Sequence, residues 1–184
     1  MALTKLDPNV ALIVIDLQKG VVGVPAVHPI AEVIGRNAQL VDAFHERGLP
    51  VVLVHVTGMA PGRTDVPRPA WSLPPDWTEL VPELKQQDAD LVVTKQRVGA
   101  FIDTSLDAHL RQLGVTQVMV TGVATSIGVE STARCAYDHG YNVVLVVDAM
   151  TDRDAGNHRH SVEKIFPRIG ETTTTAEVLG QLCL

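Results

Sequence analysis

Cysteine is nearly absent from this chain: only Cys135 and Cys183 occur, far apart in sequence. That spacing and number exclude a disulfide framework, and both are expected to be buried free thiols in a reducing compartment. Equally absent is any cluster of Lys or Arg. Against 15 basic residues stand 21 acidic ones, for a formal charge of -6, which excludes a nucleic-acid or acidic-membrane partner and leaves a small-molecule substrate as the expectation. No apolar run approaches the ~20 residues needed to span a bilayer. The opening stretch MALTKLDPNV lacks the basic and apolar regions of a signal peptide, so a cytoplasmic protein is expected. Nor does any repeat or low-complexity linker divide the sequence. With 184 residues, 46% hydrophobic and 20% charged, the expectation is a single domain over residues 1–184 with a sizeable core.

What is present alternates. Val10–Ile15 (VALIVI) and Val51–Val56 (VVLVHV) are continuous apolar runs, the signature of strands covered on both faces. Leu91–Thr94 and Tyr141–Val147 read as two more, the latter ending at Asp148, and Arg168–Thr173 as a short one. The stretch from Val118 to Thr132 reads as strand, sharp turn at Gly122, and helix from about Ser126. Helical spacing marks Ile30 to Gly48, with Gly48 as its cap, and Leu106 to Gly114, with Asp103 or Thr104 before it and Gly114 after it. Further helices are expected from about Ala155 and from Thr175 or Ala176. Strands alternating with helices predict an α/β fold: a doubly wound parallel β-sheet of about five to six strands, helices on both faces, in a Rossmann-like three-layer sandwich with right-handed crossovers. Thr57–Asp76 is long and irregular, as lids and binding loops are, and the tryptophans Trp71 and Trp77 lie in or beside it. Lid or interface is left open.

This topology gives Asp16, Lys95 and the Gly122 turn one address, just beyond the carboxyl ends of strands, where open α/β sheets bind ligands. A carboxylate, an ammonium and a helix N-terminus can converge there.

Three blocks carry a resemblance: IDLQKG at Ile15–Gly20, TKQRVGAF at Thr94–Phe101 and TGVATSIGVESTARCAYDHGY at Thr121–Tyr141. In content and order they resemble the signature blocks of the isochorismatase-like hydrolase superfamily, supported by VVDAMTD with His158 following and by the closing ETTTTAEVL. Most members are cysteine hydrolases in which an Asp, a Lys and a Cys act on an amide. The resemblance places the Asp at Asp16, the Lys at Lys95 and the cysteine position at Gly128, which has no side chain to attack a carbonyl. It also implies a cis peptide at Val123–Ala124. Cys135 lies seven residues after Gly128, roughly two turns and ~10 Å along a helix, too far to replace the missing thiol.

Glycine at this place is similar to the true isochorismatases, which cleave a vinyl ether with an Asp as general acid and water as nucleophile. The frame Val123, Ala124, Thr125, Ser126 resembles the cysteine hydrolases instead. Three functions therefore stand open: a cysteine-independent hydrolase of the isochorismatase type, an amidohydrolase that has lost its nucleophile, or a binding protein without turnover. An acid at Asp16 would need a raised pKa, which burial supplies and an adjacent Lys opposes. Val123, Ala124 and Thr125 of the turn are expected to contact substrate, with Arg97 for a carboxylate and Trp71 and Phe101 for apolar substrate body; core packing is the other reading of Phe101. The loop after the second strand has no histidine, and His158 and His160 are two apart where one helix face needs three or four. No metal or other cofactor is expected, and the histidine pair is expected at the surface or as a cap. The resemblance further implies a homo-oligomer, dimer or tetramer.

Overall fold

The computed structural model describes residues 3–66 and 74–183. Its six strands are β1 (Val10–Ile15), β2 (Val51–Val56), β3 (Leu91–Lys95), β4 (Gln117–Val123), β5 (Asn142–Thr151) and β6 (Glu171–Thr173). They form one sheet in the order β3-β2-β1-β4-β5-β6, and every pairing is parallel. The order reverses between β1 and β4, so the crevice above their carboxyl ends is the place where such sheets bind ligands.

Among the described residues seven α-helices connect and cover the sheet: α1 (Lys19–Val22), α2 (Ile30–Glu46), α3 (Leu106–Gln112), α4 (Glu130–Asp138), α5 (Ala155–His160), α6 (Phe166–Ile169) and α7 (Thr175–Leu182). Alternate residues of each strand feed opposite faces. On one face Ile13, Ile15 and Val54 pack with Leu106 and Leu110 of α3, Ala133 of α4 and Phe166 of α6. On the other, Leu12, Val14 and Leu53 pack with Leu40 and Phe44 of α2 and Val178 of α7. These two layers are the doubly wound α/β arrangement that the alternation predicted.

Local chemistry sets the helix ends. After α2, Gly48 takes φ 64°, and Leu49 N–H bonds to the Phe44 carbonyl at 2.9 Å, closing the helix with a left-handed cap. At the start of α7, Thr174 and Glu177 form a reciprocal capping box. α3 meets expectation in part: Ser105 stands at its N-cap without a side-chain bond, while the Thr104 hydroxyl accepts from Leu106 N–H at 3.4 Å and donates to the Ala100 carbonyl at 2.6 Å, and Asp103 adopts φ 57°.

Two strand ends also differ. β4 continues through Gly122 to Val123, because glycine at φ 105° lets the ladder pass against the Ile15 backbone, which a Cβ would overlap. β5 does not stop at Asp148 but runs to Thr151 across a register shift, opposite Val120 and Gly122, that lets Asp148 leave the ladder. The Asp148 carboxylate accepts from Thr175 N–H at 2.8 Å and pairs with Arg36 at 3.6 Å. Cys183 is exposed rather than buried, since it is the C-cap of α7, one residue past the helix. Cys135 is half-buried against the first core layer, and burial pushes its thiol pKa up. Among the described residues no helix is long and apolar enough to cross a membrane.

Candidate active site

Asp16 is the first residue after β1, and it turns the chain out of the sheet at φ 51°, a left-handed conformation that only a few non-glycine residues adopt, Asp among them. Its N–H still pairs with the Val54 carbonyl of β2 at 2.9 Å, so the side chain is held on the strand end rather than on a loose loop. The carboxylate is buried, 6% exposed. Lys95, the last residue of β3 and only 2% exposed, donates to Asp16 Oδ2 at 2.7 Å and reaches the Arg97 carbonyl at 3.3 Å. The other carboxylate oxygen, Oδ1, is buried without a partner among the described residues. Burial pushes the Asp16 pKa up to about 6; the Lys95 charge and hydrogen bond, and more weakly His55, pull it down. Desolvation therefore outweighs the ammonium.

The second half of the site is the turn after β4. Gly122 lies beside Ile15 in the ladder, and the following Val123–Ala124 peptide is cis. A π-type turn over Thr125–Val129 then runs directly into α4, with Ile127 and Val129 N–H donating to the Ala124 carbonyl at 3.1 and 3.2 Å. Gly128 is buried in this turn. A Cβ on it would stand 3.4 Å from Asp16 Oδ2, 3.0 Å from Ile15 Cγ2 and 3.4 Å from the Val123 carbonyl. The Thr132 hydroxyl ties the same turn down, donating to the Gly128 carbonyl at 2.7 Å and accepting from Ala100 N–H at 3.1 Å.

Asp16, Lys95 and the Val123–Gly128 turn thus meet at one edge. Other expected residues do not join them. The Arg97 guanidinium pairs with Asp103 at 3.0 Å and with the Gln96 carbonyl at 3.0 Å, and so is already engaged. Phe101 is a core residue: it stacks on His139 and packs near Tyr141, both next to the amino end of β5, because the chain after β3 dives toward α3 instead of lining the edge. Trp71 lies outside the described residues.

Three side chains that sequence reading passed over or misjudged complete the surroundings. Gln18, fully buried, clamps β1 to its neighbours, donating to the Val56 and Trp77 carbonyls at 3.1 Å each and accepting from Val56 N–H at 2.7 Å. Its signal was a polar residue in the apolar IDLQ stretch. Asp152, 4% exposed, accepts from both N–H and hydroxyl of Ser126 at 2.7 and 2.8 Å. His158 is no surface or capping residue. It is half-buried, with Nδ1 2.9 Å from the Thr125 hydroxyl and its ring edge-to-face with His28 at 4.7 Å, because α5 folds back over the turn; burial lowers its pKa. His160, two residues on, is exposed as expected. Among the described residues no group of three or more His, Cys, Asp or Glu side chains is placed to hold a metal ion; His55 bonds the Thr78 carbonyl at 2.9 Å and the Thr94 hydroxyl at 2.6 Å.

Compared with known proteins, residues 10–177 match the isochorismatase domain. The chain belongs to the isochorismatase family. An uncharacterized isochorismatase family protein of Bacillus subtilis, YwoC, is 40% identical over 94% of this chain and 93% of its own length. A protein of the same organism named isochorismatase is 30% identical over 96% of this chain, which spans 59% of that longer protein. Among solved structures, an isochorismatase family protein of Burkholderia thailandensis superposes with a TM-score of 0.93 at 42% identity, over 97% of this chain and 98% of that one. This isochorismatase-family chain is accordingly a hydrolase of that superfamily, with the family fold throughout its described residues.

Proposed function

We propose that this isochorismatase-family hydrolase acts on a small molecule without a covalent thiol intermediate, cleaving a vinyl ether with Asp16 as general acid. The observation that carries the reading is Gly128. It occupies the buried position facing Asp16, and neither cysteine can stand in for a nucleophile there: Cys135 is on α4 against Gly99, and Cys183 is at the far end of α7. A reaction that needs no protein nucleophile is what such a site can perform.

The electrostatics support the same chemistry. A carboxyl group held near pKa 6 is protonated in a useful fraction at neutral pH, whereas an ordinary aspartate is not. Protonation of the enol-ether carbon by Asp16 forms a C–H bond and an oxocarbenium ion. Water then adds to that cation, giving up a proton to Asp16, and the resulting hemiketal collapses to a ketone and an alcohol. Lys95 holds Oδ2, and Oδ1, buried and without a partner among the described residues, is the oxygen left to carry the proton. The similarity to the Bacillus subtilis isochorismatase favours a substrate of this type.

A second reading has its own observation. The Val123–Ser126 frame matches the cysteine hydrolases, and the Cβ position at Gly128 is in ordinary van der Waals range of Asp16, so an amidohydrolase that lost its thiol has the same geometry. Pyruvate release from isochorismate by the purified protein, with Asp16→Ala as control, tests the first reading. Release by wild type and not by the variant is expected. Absence of release at micromolar enzyme would sink it.

A further inference from the structure

The turn that faces Asp16 is not held by its own helix alone. Asp152, at the end of β5, uses both carboxylate oxygens on two separate chain segments. Its Oδ2 accepts from the Ser126 N–H and hydroxyl at 2.7 and 2.8 Å; its Oδ1 accepts from Arg153 N–H at 2.8 Å and Asp154 N–H at 3.3 Å. The carboxylate is thus a rivet between the strand end and the turn. Next to it, the Val27 N–H bonds the Asp152 carbonyl at 2.8 Å, and His28 bonds the Thr151 hydroxyl through its N–H at 3.2 Å and its ring at 3.0 Å, so the rivet is itself backed by the segment before α2. A second tie, His158 to Thr125, joins α5 to the residue immediately before Ser126.

We propose that Asp152 is a positioning residue for the reaction: it sets the register of the Thr125–Gly128 turn against Asp16, so that substrate held on the turn meets the acid. Ser126 lies two residues from Gly128, and a Cβ on Gly128 would stand 3.4 Å from Asp16 Oδ2. A displacement of the turn by about 1 Å passes straight into that separation, and a misplacement of this size can cost ~100-fold in rate. Among the described residues the turn's other hydrogen bonds are its own helix bonds, the His158 bond to Thr125, and that of Thr132, beyond Gly128 on the α4 side. Without Asp152 its N-terminal side is left to the His158 tie.

The proposal rests on the vinyl-ether reading for its rate measurement, and a second measurement frees it from that reading. Asp152→Ala removes all four acceptor contacts; Asp152→Asn keeps the shape and one oxygen while removing the charge. In pyruvate release, kcat per folded molecule is expected to fall at least tenfold in Asp152→Ala with KM within twofold, and to recover in part in Asp152→Asn. In a Gly128→Cys background, iodoacetamide alkylation at position 128, read by peptide mass so that Cys135 and Cys183 do not interfere, is expected to change at least threefold on adding Asp152→Ala and less on adding Asp152→Asn. If wild type releases no pyruvate, the reaction assigned above fails and the alkylation arm still decides the role of Asp152. Unchanged rates in folded Asp152→Ala, or Asp152→Asn no better than Asp152→Ala, would overturn the proposal.

Discussion

Gly128 faces Asp16 so closely that a Cβ added to the glycine would stand 3.4 Å from Oδ2 of the carboxylate. Most members of the superfamily that this chain resembles have a thiol there. This chain has the aspartate, the lysine and the turn of that resemblance, and no side-chain atom at position 128.

The pH profile separates the two chemistries. As a general acid, Asp16 works only while protonated. With its pKa pushed up to about 6, kcat/KM for vinyl-ether cleavage should be level below pH 6 and fall about tenfold per pH unit above it. An Asp16 acting as base for a nucleophile would show the opposite limb, with activity rising through the same range. Asp16→Asn should lower kcat by ~100-fold or more with little change in KM. An activity that rises between pH 5 and 7 would exclude the acid role.

Restoring the absent thiol tests whether the amidase geometry survives. Gly128→Cys should fold, since the tightest contact of the added Cβ is with Ile15 Cγ2 at 3.0 Å, which a small side-chain movement relieves. The variant should alkylate with iodoacetamide at position 128 faster than at Cys135, whose thiol is held protonated by burial and by Asp138. Hydrolysis of any member of an amide and lactam panel by the variant, and not by wild type, would support descent from a cysteine hydrolase.

Lys95→Met removes the ammonium that holds the Asp16 pKa down, so burial acts on the carboxyl unopposed and its pKa should rise further above 6. Any general-acid activity should then extend to higher pH. At neutral pH the carboxyl should fold mostly neutral, which limits the loss of stability; a buried pair broken with its charge left in place costs ~3–5 kcal/mol. Urea melts at pH 5 and pH 8 are the check, with the larger loss expected at pH 8, where the unpaired carboxylate must ionise or remain protonated against solvent.

Gly122→Ala should be among the most damaging single substitutions. The new methyl would overlap the Ile15 backbone and would have to adopt φ 105°. Strain of this kind costs ~1–3 kcal/mol before the overlap is relieved, and relief means separating β4 from β1 beside Asp16. Gly180→Ala, where a Cβ meets nothing within 4 Å, is the matched control and should be neutral or stabilising.

Much of this was legible in the sequence, and the reasons differ by residue. The buried strands were plain because parallel strands covered on both faces read as unbroken apolar runs, as VALIVI and VVLVHV do. Asp16 and Lys95 stood out as charges at the ends of such runs. Asp152 did not, because β5 was expected to end at Asp148; the register shift that carries the strand on to Thr151 is a tertiary accommodation to β4, with no local signal. His158 was judged by its spacing to His160, yet its partner Thr125 is 33 residues away. Arg97 was expected to meet a substrate carboxylate, and Phe101 either to contact substrate or to pack in the core. Which way a side chain leaves the strand end is decided by packing, and here it sends Phe101 into the core and Arg97 to Asp103.

The sheet order has a consequence for synthesis on the ribosome. β1 is made first but lies between β2 and β4, and its β4 edge stays unpaired until residue 123 has emerged, long after β2 has docked on the other side. During that interval a nascent chain presents Val10–Ile15, six buried apolar residues, along an open hydrogen-bonding edge. The residues that bury the end of β1 in the finished fold are thus the ones most in need of protection while it is being built, and Asp16 is desolvated only once β3 and the turn after β4 have closed around it.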